Sequence, residues 1–134
     1  MSVENVERVR GYYEAANRRD IDAFFQKLSP EFEFHTAGAF PDLDSVYKGR
    51  EAFLDFMFKF QDPWEEISID PDELIDAGPR VLAMISFHAR GRDGIEVELA
   101  LAHLWTIEDG IAVRLDAYAD QEQARKTVGL REKT

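Results

Sequence analysis

Val6, Val9, Tyr13 and Ala16 recur at spacings of 3, 4 and 3, which is one stripe of an α-helix. Tyr12 lies on its margin, and Ser2 is placed to cap it, with Glu4 and Asn5 in the first turn. A second, short helix is expected from a cap at Asp20 through Leu28, turning Ile21, Phe24, Phe25 and Leu28 inward until Pro30 stops it. Phe32, Phe34 and Thr36 then alternate with Glu33, His35 and Ala37, the period of a strand. His35 falls on the side away from Phe34 and Thr36. A loop holding Gly38, Pro41, Asp42, Asp44 and Ser45 leads to a third helix from about Arg50 to Gln61. That helix carries Phe53, Phe56, Phe58 and Phe60 and closes at Asp62, Pro63 and Trp64.

The second half reads as sheet. Ile67 to Ile75 alternates weakly and contains Pro71, which cannot donate to a ladder, so it belongs at an edge. Glu65 to Asp76 holds six carboxylates and no base, as a solvated edge strand would. Gly78-Pro79 is a turn before a strand from Val81 to Arg90. Asp93-Gly94 reads as a two-residue hairpin turn into a strand from Val97 to Ile107. Glu108-Asp109-Gly110 reads as a three-residue loop into the last strand, Ile111 to Ala119. A helical turn over Glu122 to Val128 ends at Gly129.

Alternation assigns the faces. Val97, Leu99, Leu101, His103, Trp105 and Ile107 share an apolar side that must meet the helices, matched in the last strand by Ile111, Val113, Leu115, Ala117 and Ala119. With a two-residue turn at Asp93-Gly94, Met84 opposes His103, and the inner row becomes Leu82, Met84, Ser86, His88 and Arg90. The opposite row, Val81, Ala83, Ile85, Phe87 and Ala89, is then wholly apolar on the outside. A homodimer through this outer sheet face is the expected cover. The architecture implied is α+β: three N-terminal helices over a strongly curved, mostly antiparallel sheet, forming a cone open at one end. His103, Tyr12, Thr36, Ser86 and His88 converge inside it, and Met57, Trp64, Leu101 and Trp105 wall it.

Composition narrows the function. The 134 residues suit one domain, 1–134. Sixteen basic against 27 acidic side chains give a net charge of −11, which argues against nucleic acid or an anionic membrane as partner. The absence of cysteine removes disulfides, thiolate metal sites and a cysteine nucleophile. No apolar run reaches a membrane span and no signal peptide opens the chain, so a cytoplasmic location is expected. The three histidines stand on separate segments without ligand spacing, so neither a metal nor a cofactor is expected. There is no glycine-rich phosphate loop and no nucleophile elbow.

His103, desolvated among apolar neighbours, should be mostly neutral at pH 7. It is either a donor or general base toward a ligand oxygen, or a buried histidine satisfied by Tyr12 or a backbone carbonyl. Tyr12 is either a second donor or a stripe-edge tyrosine with a wet hydroxyl. Asp42 and Asp44 are turn formers or a carboxylate that swings over the cone mouth.

Four stretches carry a family likeness: YYEAANRRDIDAFF at 12–25, YKGREAF at 47–53, DELIDAGPRVLAMISFHARG at 72–91 and AHLWTIEDGIAVRLDAYAD at 102–120. In their order and spacing the chain resembles the NTF2-like superfamily, more closely its SnoaL-like branch. The resemblance implies the cone fold. It also implies one of several chemistries, since the superfamily hosts isomerases, cyclases, hydrolases, dehydratases and binding domains. Its steroid isomerases use a carboxylate base with a tyrosine and a protonated aspartic acid that donate to an enolate. On this sequence the tyrosine falls at Tyr12, the aspartic acid at His103 and the base at or beside Thr36, so both donors are plausible and the base is missing. Leu101, His103 and Ala117 stand where the limonene epoxide hydrolase branch carries its aspartate, arginine and aspartate. The reading that follows is a protein binding a small apolar, carbonyl-bearing molecule in the cone. The alternative is an isomerase, cyclase or dehydratase in which His103 and Tyr12 polarise a substrate oxygen. A third is a dimeric interaction module with a filled core.

Overall fold

The computed structural model describes residues 2–36 and 45–129, and Asp42 and Asp44 lie outside them. Helices α1 (Ser2–Asn17) and α2 (Ile21–Gln26) lead into strand β1 (Leu28–His35) and the short β2 (Val46–Lys48). Helix α3 (Arg50–Gln61) follows, then β3 (Trp64–Ala77), β4 (Arg80–Gly91), β5 (Glu96–Glu108), β6 (Ile111–Tyr118) and α4 (Gln121–Thr127). The strands form one curved sheet in the order β2-β1-β6-β5-β4-β3. Every neighbouring pair is antiparallel except β1 with β6.

Local chemistry fixes the element ends. The Asp20 carboxylate accepts from the Ala23 amide at 3.2 Å and starts α2. That helix stops at Gln26, so Leu28 opens β1 instead of ending α2. Two helices, not three, precede the sheet, because α3 stands after β2. Asp120 accepts from Glu122 and Gln123 to start α4, and Gly129 follows it at φ +81°. Pro71 sits in β3 at the sheet edge, as expected of a residue with no amide hydrogen. The same edge is held to α1 by Asn17, whose side-chain amide accepts from Ile69 N and donates to Ile69 O, each at 2.9 Å. The carboxamide thereby stands in for a neighbouring strand at that point. Among the described residues no helix is long and apolar enough to cross a membrane.

The register of β4 against β5 differs by one residue from the sequence expectation. Ala83, not Met84, stands opposite His103, and Ala89 opposite Val97. The cause is the hairpin loop. Gly91 N donates to Ile95 O at 2.8 Å and Gly94 N to Gly91 O at 3.0 Å, so Arg92, Asp93 and Gly94 form a three-residue loop, with Gly94 at φ +86°. The next hairpin is the shorter one. Glu108 pairs with Ile111 across Asp109 (φ +52°) and Gly110 (φ +79°), a turn with both central residues left-handed. A bulge at Val113 then sets His103 against Ala117.

A one-residue slip turns a strand over. Val81, Ala83, Ile85, Phe87 and Ala89 therefore face the core, where all are buried. Leu82, Met84, Ser86, His88 and Arg90 lie on the outer face. There Leu82 and Met84 pack with Ala102, Leu104 and Ala124 of α4. The apolar row that the sequence assigns to a dimer partner is thus already covered by α1 and α3. The main core consists of that row, the aromatic residues of α1, β1 and α3, and Trp105.

Candidate functional site

A cavity of about 270 Å³ lies between α1, α3 and the inner face of the sheet. Phe34, Phe53, Phe56, Phe60 and Phe87 supply much of its wall. Met57 of α3, Trp64 at the start of β3, and Leu101, His103 and Trp105 of β5 line it. Leu99 lines it while remaining 47% exposed, so the cavity reaches solvent beside the β4–β5 hairpin. Its wall contains no carboxylate among the described residues.

The few polar groups are concentrated at one place. Tyr13 Oη lies 2.7 Å from His103 Nδ1, and Trp105 Nε1 donates to the same hydroxyl at 2.8 Å. The Tyr13 and His103 rings stack at 12° with centroids 5.9 Å apart, and Trp105 meets Tyr13 edge-on at 89°. Burial lowers the His103 pKa from 6.5 to about 4, so its ring is neutral at pH 7. Burial also pushes the Tyr13 hydroxyl far above its usual pKa, against the smaller opposing effect of the Trp105 donor.

The tyrosine that meets His103 is therefore Tyr13, not Tyr12. Tyr12 lines the cavity and packs its ring 5.0 Å from that of Trp105. Among the described residues its buried hydroxyl has no side-chain partner, and only the Ala112 backbone comes near it. Burial raises its pKa, opposed by the Arg8 charge and the nearby Ala112 backbone. Helix geometry explains the exchange: adjacent positions on α1 differ by about 100°. Tyr13 is at the centre of the Val6–Val9–Tyr13–Ala16 stripe and points straight at the sheet. That central position is the available signal, although the stripe alone reads as core.

Three other expected residues lie elsewhere. Ser86 and His88 are on the outer face because of the one-residue register difference. Ser86 Oγ donates to Asp72, and His88 Nδ1 lies 3.4 Å from Glu98. Thr36 is fully buried beyond the end of β1, its amide donating to Ser45 O at 3.0 Å, and it does not line the cavity. Gln61, at the end of α3, lines the cavity without any signal in the sequence, where its position reads only as a helix terminus. Among the described residues no three histidine, aspartate or glutamate side chains converge as metal ligands.

The profile of the SnoaL-like domain matches residues 9–115, and the chain belongs to that family, a branch of the NTF2-like superfamily. No curated protein sequence matches the chain. Among solved structures, an NTF2-like protein of unknown function from Burkholderia pseudomallei is 26% identical with a TM-score of 0.77, over 94% of this chain and 98% of that one. TerC, co-crystallised with polyporic acid, is 21% identical with a TM-score of 0.76, over 93% and 98%. A putative polyketide cyclase from Xanthomonas campestris is also 21% identical, with a TM-score of 0.75 over 96% and 98%.

Proposed function

We propose that the chain binds a small apolar molecule bearing a carbonyl oxygen, with the hydrocarbon in the aromatic cavity and the oxygen at His103. One observation carries this reading: a nearly all-apolar cavity of about 270 Å³ has a neutral histidine in its wall whose Nδ1 is already engaged by Tyr13. The volume is at the small end of ligand sites, which suits a molecule of one or two rings. Such a ligand gains from burial against phenylalanine and tryptophan, and its oxygen is desolvated without loss only where a donor meets it. The co-crystallisation of TerC with polyporic acid and the cyclase name of the Xanthomonas protein are in keeping with a small-molecule site.

The alternative is a cofactor-independent isomerase, cyclase or dehydratase. In its favour is the same donor, which would stabilise charge developing on a substrate oxygen. Proton abstraction also needs a base, and no carboxylate lines the cavity among the described residues. That absence favours binding.

Both tryptophans of the chain line the cavity, so their fluorescence reads occupancy directly. Titration with 1-tetralone should give a saturable change and tighter binding than tetralin, which has the same bicyclic frame without the oxygen. His103→Phe should abolish the preference and retain tetralin binding. No saturable response to either compound would overturn the reading.

A further inference from the structure

Tyr13 Oη has one hydrogen to donate and two lone pairs to accept with. The indole of Trp105 can only donate, so it occupies a lone pair of Tyr13 Oη. The Tyr13 hydrogen then needs an acceptor, and the one within reach is His103 Nδ1 at 2.7 Å. A proton on Nδ1 would leave that buried tyrosine hydrogen with no acceptor, at the cost of an unmade hydrogen bond. In a neutral imidazole the remaining proton must then sit on Nε2. Among the described residues no protein group pairs with that nitrogen, and the histidine lines the cavity.

We propose that Trp105 and Tyr13 are positioning residues: the donor chain from Trp105 Nε1 through Tyr13 Oη to His103 Nδ1 locks His103 as its Nε2–H tautomer, so the cavity presents a fixed hydrogen-bond donor and no basic nitrogen. The proposal rests on the cavity reading for its use and deepens it. A ligand is selected by an acceptor oxygen, and a ligand that offers only a donor, such as an amine N–H, meets no acceptor at His103. It also gives the tyrosine and the tryptophan a role that neither plays by contact with the ligand oxygen. The histidine is thereby removed as a general base through Nε2, because the lone pair needed for that step is absent from the locked tautomer.

The test is made on the ligand-free protein. Long-range proton–nitrogen NMR of ¹⁵N-histidine-labelled protein at pH 7 distinguishes protonated from bare ring nitrogens. The chain has three histidines, so the His103 signals are assigned by their loss in His103→Gln. The expected spectrum shows a bare Nδ1 and a protonated Nε2 for His103, and Tyr13→Phe should shift it toward a mixture of both tautomers. Trp105→Phe removes the first donor while keeping an aromatic ring, and should produce a smaller shift of the same kind. A proton on Nδ1 in the unaltered protein, or a tautomer unchanged in Tyr13→Phe, would sink the proposal. In binding, Tyr13→Phe should weaken 1-tetralone about three- to tenfold, the worth of one hydrogen bond, and leave tetralin unchanged. Failure of tetralone binding with the tautomer intact would retire the binding reading alone, whereas a wrong tautomer would retire the relay whatever binds.

Discussion

The hydroxyl of Tyr13 lies 2.7 Å from Nδ1 of His103, whereas the buried hydroxyl of its neighbour Tyr12 has no side-chain partner among the described residues. Two adjacent tyrosines, both almost fully buried, should therefore differ in their response to loss of the oxygen. Tyr13→Phe strands the Trp105 indole N–H and the histidine nitrogen, and should cost about 2 kcal/mol. Tyr12→Phe removes a hydroxyl with only the Ala112 backbone near it, and should lie within about 0.5 kcal/mol of the parent, on either side. Urea unfolding of the two variants decides it, and a larger loss in Tyr12→Phe would mean that the wrong tyrosine has been placed on the histidine.

The His103 ring, desolvated at the cavity wall, should tie stability to pH. Folding lowers the His103 pKa from 6.5 to about 4. Above pH 6.5 the ring is neutral in both the folded and the unfolded chain and adds no slope. Between pH 6.5 and 4 the unfolded chain takes up a proton that the folded one refuses, so acidification destabilises the fold. The limit is about 1.4 kcal/mol per pH unit, or about 3 kcal/mol in all. His103→Gln cannot titrate, so its stability should fall less steeply over that window than that of the parent. Every other ionisable group is common to the two proteins and cancels in the comparison. Parallel curves from about pH 7 to about pH 4.5 would show that the histidine is not desolvated.

How far the site can be read from the sequence depends on loops more than on strands. The inner row of β5 is plain, because Val97, Leu99 and Leu101 alternate with Glu96, Glu98 and Ala100, and His103, Trp105 and Ile107 continue the same row. The row of β4 depends on the hairpin joining it to β5, and both hairpins carry Asp-Gly. Asp109-Gly110 forms the tight turn with two left-handed residues, whereas at Asp93-Gly94 the glycine alone is left-handed and Arg92 joins the loop. The dipeptide does not distinguish these cases, and the difference of one residue carries Ser86 and His88 to the outside. The unbroken apolar row from Val81 to Ala89 is the better evidence, since burial outweighs a turn preference. Strand β2 has no pattern to read: three residues are too few for alternation, and pairing with β1 holds them in place.

That row gives a direct check of the register. Phe87 faces the cavity and is 5% exposed, whereas the adjacent His88 stands on the outer face beside Glu96 and Glu98. Phe87→Ala should cost about 3 kcal/mol, the usual result of emptying a buried aromatic position, and should weaken 1-tetralone and tetralin alike. His88→Ala removes an exposed contact and should change stability by less than about 0.5 kcal/mol with no effect on either ligand. Reversal of the two effects would restore the other register and bring Ser86 and His88 back into the cavity.

The hairpin loop that sets this register can be tested through its glycine. Gly94 holds φ at +86°, a conformation in which a Cβ is strained even though nothing stands within 4 Å of where one would go. Gly94→Ala should therefore cost about 1 kcal/mol, from the backbone alone. Gly11 provides the opposite case. It lies inside α1, where a methyl group would also meet open space, and its φ is not left-handed. Gly11→Ala should stabilise the protein by about 0.5–1 kcal/mol, because alanine loses less backbone freedom on entering a helix. Thermal and urea unfolding of both variants should move in opposite directions. A neutral Gly94→Ala would mean that the loop does not hold position 94 at a left-handed φ.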